Sequence, residues 1–462
     1  MEELNTQSKQ MRIDRVAPDK IRAERTQYLE EEKRIKAVTV CFTDLEGRLH
    51  MLDYDKKFLL KSSDNLTFDG SSIRGFTEIA ESDLRLDIDW STFYWLPSDI
   101  FGPGKVIVFG TVLNRDGSPF LSDFRARLKA YTDELREDRK LTAYVSAEIE
   151  GFLFSGRDAE RQYFHKQSFD LISTGGYYHS LPQDPLRQFI DASAEVQRAM
   201  AFENEKDHPE VGPSQFEMNF SYSEACVAAD QMQLYKLLCR QVAHRMEMTA
   251  CFLPKPITGI NGNGMHTNVS LAKNNKNIFF DKKGQDSLSA VGWDFINRVL
   301  ANADQLCLVA NPSVNAYRRL DPNYEAPNEI KASAVDRSSM VRIPHGNERS
   351  ARIEVRSVAP DANPYMWIYT LLKTGIEGPE PETDASKRAR TRFLPDKIYT
   401  ALRQFKQSNF MKEILGETAH AKYAMLKQTV ADRSPRDLGD RIKLGEIMFH
   451  HEVTNQMLWK QF

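Results

Sequence analysis

The sequence predicts an α+β protein in which a small β-rich unit precedes a larger mixed one. Three observations carry this reading. Short runs rich in β-branched and aromatic residues, 37–43 and 105–113, are separated by turn-prone segments such as Asp53-Tyr54-Asp55 and Ser98-Asp99. Apolar residues then recur at helical spacing over 120–136, 185–202 and 224–249, the last with Leu234, Leu237, Leu238 and Val242 on one stripe. Between these helices residues 141–154 return to strand character, and 386–462 read as mostly helical. The charged stretch 1–36 reads as an extension whose helical part, 22–36, is expected to be solvated. The β-rich unit is assigned to 37–125 and the larger unit to 126–462, with no low-complexity linker between them.

Composition narrows the class of function. The chain has 462 residues, 41% hydrophobic and 27% charged, and a net charge of −3, so it exerts no bulk attraction on nucleic acid or an anionic membrane. Neither is expected as a partner. The five cysteines, Cys41, Cys226, Cys239, Cys251 and Cys307, form no CxxC pair and fit free thiols in a reducing compartment. No apolar run approaches the roughly 18 residues of a membrane span, and the charged 1–36 lacks the apolar core of a secretory signal. Cytoplasmic residence is the expectation.

Four groups of residues carry chemistry. On a strand, Glu148 and Glu150 share a face while Ile149 points away, and within an apolar run such a pair calls for a cation. Two surface acids on a solvated edge strand are the plain alternative. Glu210 and Glu217 flank Gly212-Pro213, a break that lets both turn into one pocket. Asn261-Gly262-Asn263-Gly264 allows close backbone approach to a ligand just before His266, although a glycine-rich turn and a structural histidine would read the same way. Arg352, Glu354 and Arg356 share a strand face that suits anions beside a metal, or a salt-bridged surface. A fifth cluster, His450-His451-Glu452, is read as the end of a surface helix.

Taken in order, these groups have a counterpart. The sequence resembles a glutamine synthetase of the bacterial class I type from about residue 37 to the C-terminal region. The stretches that carry the resemblance are 68–73 (Phe-Asp-Gly-Ser-Ser-Ile), Glu148-Ile149-Glu150, 210–217, Pro254-Lys255-Pro256, 261–266, 311–320, Tyr324-Glu325-Ala326-Pro327, Asp336-Arg337-Ser338 with Arg342-Ile343-Pro344, and 352–356. Each alone is a weak signal, and their shared order is not.

The resemblance implies a small N-terminal β-grasp domain and a larger catalytic domain with an antiparallel β-sheet funnel flanked by helices. It implies a homo-oligomer, a dodecamer of two hexameric rings with active sites between neighbouring subunits. The implied reaction is ATP-dependent ligation of ammonia to the γ-carboxylate of L-glutamate, through γ-glutamyl phosphate, giving glutamine. Mg²⁺ or Mn²⁺, two or more per site, would be held by Glu148, His266 and Glu354 at the nucleotide end and by Glu150, Glu210 and Glu217 at the glutamate end. By the same carry-over, Glu205, Tyr222, Asn268, Ser270, Arg337, Arg342, Arg349 and Arg352 bind nucleotide, and Asn261, Gly262, Arg319, Glu325 and Arg356 hold glutamate. Asp69 and Ser72 of the adjacent subunit, with Tyr177, Glu210 and Glu325, form the ammonium pocket; Asp69, Glu325 and Arg337 are the catalytic residues, Glu325 on a flap.

Departures from the family pattern keep two alternatives open: a γ-glutamyl ligase for an organic amine or polyamine, and a catalytically silent glutamine-synthetase-like assembly. Asn268 stands for a second histidine, Asp336 for the asparagine before Arg337, and His208-Pro209 for a histidine pair. Arg392 occupies the position of the adenylylated tyrosine of some bacterial enzymes, so adenylylation there is not expected.

Overall fold

A computed structural model of the chain describes residues 3–78, 82–166, 168–179, 183–320, 326–380 and 391–432. Strands β1 (Ala37–Thr43), β2 (Leu49–Asp55), β3 (Leu66–Asp69), β4 (Asp83–Trp95) and β5 (Val106–Leu113) form a sheet in the order β2-β1-β5-β4-β3. The central pair β1–β5 is parallel and the rest antiparallel. This is the N-terminal β-grasp unit. Its central strands are apolar on both faces because both are covered: Val38, Val40, Val106 and Val108 pack with the N-terminal helices, and Cys41, Ile107 and Phe109 face the helix Phe124–Arg139.

Two sequence expectations are corrected here. Residues 1–36 are not a solvated extension: helices Thr6–Ile13 and Pro18–Glu31 bury Met11, Ile21 and Leu29 in the core of the first sheet. Dense charge on the outer faces concealed a narrow apolar stripe. Asp53-Tyr54-Asp55 is the end of β2 rather than a turn, because Asp53 accepts a hydrogen bond from its cross-strand partner Thr39 at 2.5 Å and Asp55 caps the helix Lys56–Ser62.

The second sheet has ten strands. Its path runs β13 (Glu329–Ser333), β14 (Ser339–Arg342), β15 (Ile353–Val355), β11 (Met265–Lys273), β6 (Leu141–Ser155), β8 (Gln215–Phe220), β7 (Asn204–Pro209). The short β9 (Ser223–Glu224) and β10 (Met248–Cys251) pair with β6, and β12 (Lys276–Asn277) pairs with β11. All pairs are antiparallel, as in the antiparallel funnel expected, except β13–β14, which is parallel. β6 alternates as its sequence predicts. Ala143, Val145, Ala147 and Ile149 are buried in the main core beside the helices Ala225–Arg245 and Pro364–Glu377, while Glu148 and Glu150 face a cleft.

The C-terminal region is helical over Ile398–Gln407, Asn409–Leu415 and Glu417–Ala431; His450, His451 and Glu452 lie outside the described residues. Among the described residues no helix is long and apolar enough to cross a membrane. The two sheets share their packing, since Cys41, Leu45, Tyr94, Ile107 and Phe109 belong to the same core cluster as the larger sheet.

Candidate active site

Strand register assembles the site. On one side of β6, His266 of β11 stands opposite Glu148; on the other, Glu217 of β8 stands opposite Glu150. Glu354 of β15 lies opposite Asn268 of β11 and Arg342 of β14, and His208 of β7 lies opposite Glu217. Side chains that share one face of six adjacent strands thus meet in one cleft. Glu148, Glu150, Glu210, Glu217, His266 and Glu354 line it, together with Tyr177, Asn261, Gly262, Arg319, Arg337, Arg342, Arg352 and Arg356.

Two potential ligand groups result. One atom each from Glu148, His266 and Glu354 lies within 4.8 Å of the others, and the same holds for His208, Glu210 and Glu217. The first group is the one expected at the nucleotide end. In the second, His208 joins Glu210 and Glu217, while Glu150 lies between the groups, its Oε2 accepting from Gly264 N–H at 2.7 Å and its Oε1 3.9 Å from His266 Nε2.

The electrostatics favour a cation. Glu354 is 1% exposed, and both its carboxylate oxygens lack a hydrogen bond although Arg342 Nε and Arg356 Nε each lie 3.2 Å away. His208 Nε2 is likewise buried without a hydrogen bond, 3.8 Å from Glu217. Burial, then the Glu150 charge, pushes the Glu210 carboxyl up to about 7; burial and the Glu150, Glu148 and Glu210 charges push Glu217 well above the carboxylate range. Glu148 goes the other way. Burial raises it, but the His266 imidazole and the Asn268 amide outweigh that and hold it at about 2. Carboxylates with one imidazole per group fit Mg²⁺ or Mn²⁺, and the unsatisfied buried oxygens are what such an ion would satisfy.

A test follows that does not rely on turnover. Mg²⁺ or Mn²⁺ should raise the melting temperature of chelator-treated protein, by about 2.7 kcal/mol of stability at a hundredfold excess over Kd. The gain should be larger at pH 8 than at pH 6, because Glu210, pushed up to about 7, holds its proton at the lower pH and must release it to ligate. Equal gains at both pH values would remove Glu210 from the ligand set.

The loop that carries Asn261 and Gly262 is fixed from below. Gln215 Nε2 donates to Gly262 O and Asn263 Oδ1, and Asn263 N–H donates to Pro254 O. A Cβ on Gly262 would stand 2.5 Å from the backbone Pro254 O, so that position requires glycine, and one on Gly264 would stand 2.5 Å from His266 Nε2 and displace the imidazole. Arg319, on the helix Val314–Arg319, donates to Arg356 O at 2.9 Å; burial lowers its pKa to about 10, with the Glu150 charge opposing and Arg356 adding to the fall.

Other expected residues lie elsewhere. Asn268 sits just behind the cleft, donating to Glu148 Oε1 at 3.2 Å and accepting from Arg352 Nε at 2.9 Å, so it ties one metal-side acid to one arginine. Ser270 and Tyr222 continue this face beyond Glu148: Ser270 is opposite Tyr144, whose ring meets Tyr222 edge-on at 5.3 Å. Glu205 is exposed on β7, Arg349 is exposed on the turn at 347–350, and neither lines the cleft. Glu325 lies outside the described residues. Asp69, at the end of β3, and Ser72, in the turn after it, do not line this chain's cleft; Asp69 is exposed and accepts from Ser71 N, Ser71 Oγ and Ser72 Oγ, which lower its pKa. Asp336 does not burden Arg337: it pairs with Lys331 at 2.7 Å and caps the turn to Ser338. Arg392 pairs with Asp304 at 2.9 Å.

Sequence reading missed Lys206, His208 and Gln215. The first two alternate with Glu210 at strand spacing, a signal that was available.

The family model for the glutamine synthetase catalytic domain matches residues 122–437, and that for the glutamine synthetase beta-grasp domain matches residues 34–115. The chain belongs to the glutamine synthetase family. It is 37% identical over 417 residues to a glutamine synthetase of Staphylococcus aureus strain MRSA252, covering 85% of this chain and 91% of that one. A glutamine synthetase of Staphylococcus epidermidis matches with the same identity and coverage. Among solved structures, a GmaS/ADP complex superposes with a TM-score of 0.77 at 23% identity, over 91% of this chain and 99% of that one. GmaS solved without ligand gives 0.73 at 25% identity, over 86% and 93%.

Proposed function

We propose that this glutamine synthetase family ligase joins ammonia to the γ-carboxylate of L-glutamate at the expense of ATP, in the cytoplasm. The observation that carries the reading is the division of the cleft: one carboxylate–histidine group on either side of β6, with arginines over the first and a carboxylate-lined recess beside Tyr177 at the second. Divalent ions bound to the two groups would neutralise the phosphates and the substrate carboxylate.

Arg319 and Arg356, with the Asn261-Gly262 backbone, hold glutamate, since guanidinium groups suit carboxylates. Arg337, Arg342 and Arg352 face the nucleotide phosphates, and Asn268 keeps Arg352 aligned. A γ-carboxylate oxygen attacks the terminal phosphorus and ADP leaves. Ammonium enters the recess, gives a proton to a carboxylate there, and its nitrogen attacks the γ-carbonyl carbon as phosphate departs, the second proton passing from that nitrogen to the departing phosphate. Glu210 is placed to take that proton. Asp69, held charged by its serine neighbours and exposed on this chain, is suited to complete the recess of an adjacent subunit in a dodecamer, and Glu325 to close it.

A second reading, ligation of an organic amine, draws support from the likeness to GmaS. Purified protein given ATP, glutamate and Mg²⁺ or Mn²⁺ should release phosphate with ammonium and form glutamine. γ-Glutamyl amides from amines without glutamine from ammonium would establish the second reading instead; silence with every acceptor would favour a non-catalytic assembly. Mass measurement in solution should give the ring assembly, and a fully active monomer would contradict shared sites.

A further inference from the structure

We propose that Tyr178, which does not itself line the cleft, is a positioning residue that sets acceptor choice by locking the Tyr177 phenol across the acceptor recess; the inference rests on the ligase reading above.

The backbone at Tyr178 is unusual. Its φ is +59°, a left-handed conformation that a bulky residue adopts only where its surroundings enforce it. They do so here. Ser214 Oγ accepts from Ile172 N–H at 2.8 Å and Ser173 N–H at 3.0 Å, and Gly175 packs so closely on the next turn that a Cβ would stand 2.6 Å from Pro213 Cα. Tyr178 N–H donates to Pro209 O at 3.3 Å. The loop is therefore tied to the strand end that carries His208 and Glu210.

What the strain achieves is a stack. The Tyr177 and Tyr178 rings lie 3.9 Å apart at 29°, and both meet the His208 ring edge-on, at 5.5 and 4.7 Å. The two hydroxyls are 2.8 Å apart, with Tyr177 donating to Tyr178. Directing its proton outward leaves the Tyr177 oxygen as an acceptor for an N–H of the incoming ammonium. It also ties down the ring, so an alkyl group on the nitrogen would have to break the hydroxyl pair to enter.

Steady-state kinetics with ammonium and with methylamine test this on the full-length protein with Mg²⁺. Tyr178→Phe keeps the stack and removes the hydroxyl pair. It should raise KM for ammonium about five- to tenfold, the worth of one neutral hydrogen bond, and leave KM for ATP and glutamate within about twofold. The ratio of methylamine to ammonium kcat/KM should rise by a similar factor, and further in Tyr178→Ala. Unchanged selectivity in both variants, or an equal rise in all three KM values, would overturn the assignment while leaving the ligase reading intact. Wild-type turnover with neither acceptor would overturn both.

Discussion

Glu148→Ala should cost the protein chiefly its use of ATP, and Glu150→Ala chiefly its hold on glutamate. The two carboxylates lie two residues apart on one strand face, yet their partners differ. Glu148 is paired across the strand with His266 and grouped with Glu354 under the Arg342 and Arg352 guanidiniums. Glu150 is paired with Glu217 and accepts the Gly264 N–H of the loop that presents Asn261 and Gly262. Loss of even an outer partner of a metal ligand costs about 10- to 100-fold, so removal of the carboxylate itself should cost about 100-fold or more in kcat/KM for the corresponding substrate. Separate titrations of ATP and glutamate make the comparison. Indistinguishable defects would mean that the two acids serve one undivided cluster.

Asp230→Ala should destabilise the fold by about 3–5 kcal/mol. Arg125 is 1% exposed; its Nε and Nη2 each donate to an Asp230 oxygen at 2.8 Å, and Nη2 also reaches Asp89 at 3.0 Å. Tyr365 donates to the same Asp230 carboxylate at 2.7 Å. Truncation would strand a buried guanidinium and a phenol at once, and Asp89 alone could not compensate. Urea unfolding measures the loss, which should exceed that of Asp230→Asn. A loss below about 1 kcal/mol would show that water or Asp89 replaces the missing acid.

Some of this architecture was legible in the sequence. The alternation along β6 and the family motifs placed Glu148 and Glu150 on one face, and the helix at 225–245 was marked by its stripe of Leu and Val. Register was not legible: nothing local says that His266 lies opposite Glu148 or Glu217 opposite Glu150, because pairing between distant strands is a tertiary outcome. The buried N-terminal helices were hidden by their charge, for Arg25 is buried too and finds Gln7 and Ser8 as partners. Asn268 was read only as a departure from a histidine at a nucleotide-binding position, because its link between Glu148 and Arg352 exists only once the strands are paired. Tyr178 gave no signal at all, since its interest lies in a backbone angle.

The turn between β1 and β2 has a bearing on how the protein can be cut. Gly47, at φ +87°, approaches so closely that a Cβ would stand 2.5 Å from Asn363 Cα, and Asn363 Nδ2 donates to the carbonyls of Asp44 and Leu45. Glu46 accepts from Lys427 at 2.7 Å in an ion pair whose two side chains are nearly buried. Two matched family segments therefore do not amount to two separable proteins. A catalytic segment made alone would present to water the apolar seam now filled by Cys41, Leu45, Ile107 and Phe109, and the β-grasp segment would carry the other half of it. The first sheet is seamed to the larger one through this core, so if Asp69 completes a neighbour's recess as proposed, its placement there would be set by how whole chains meet.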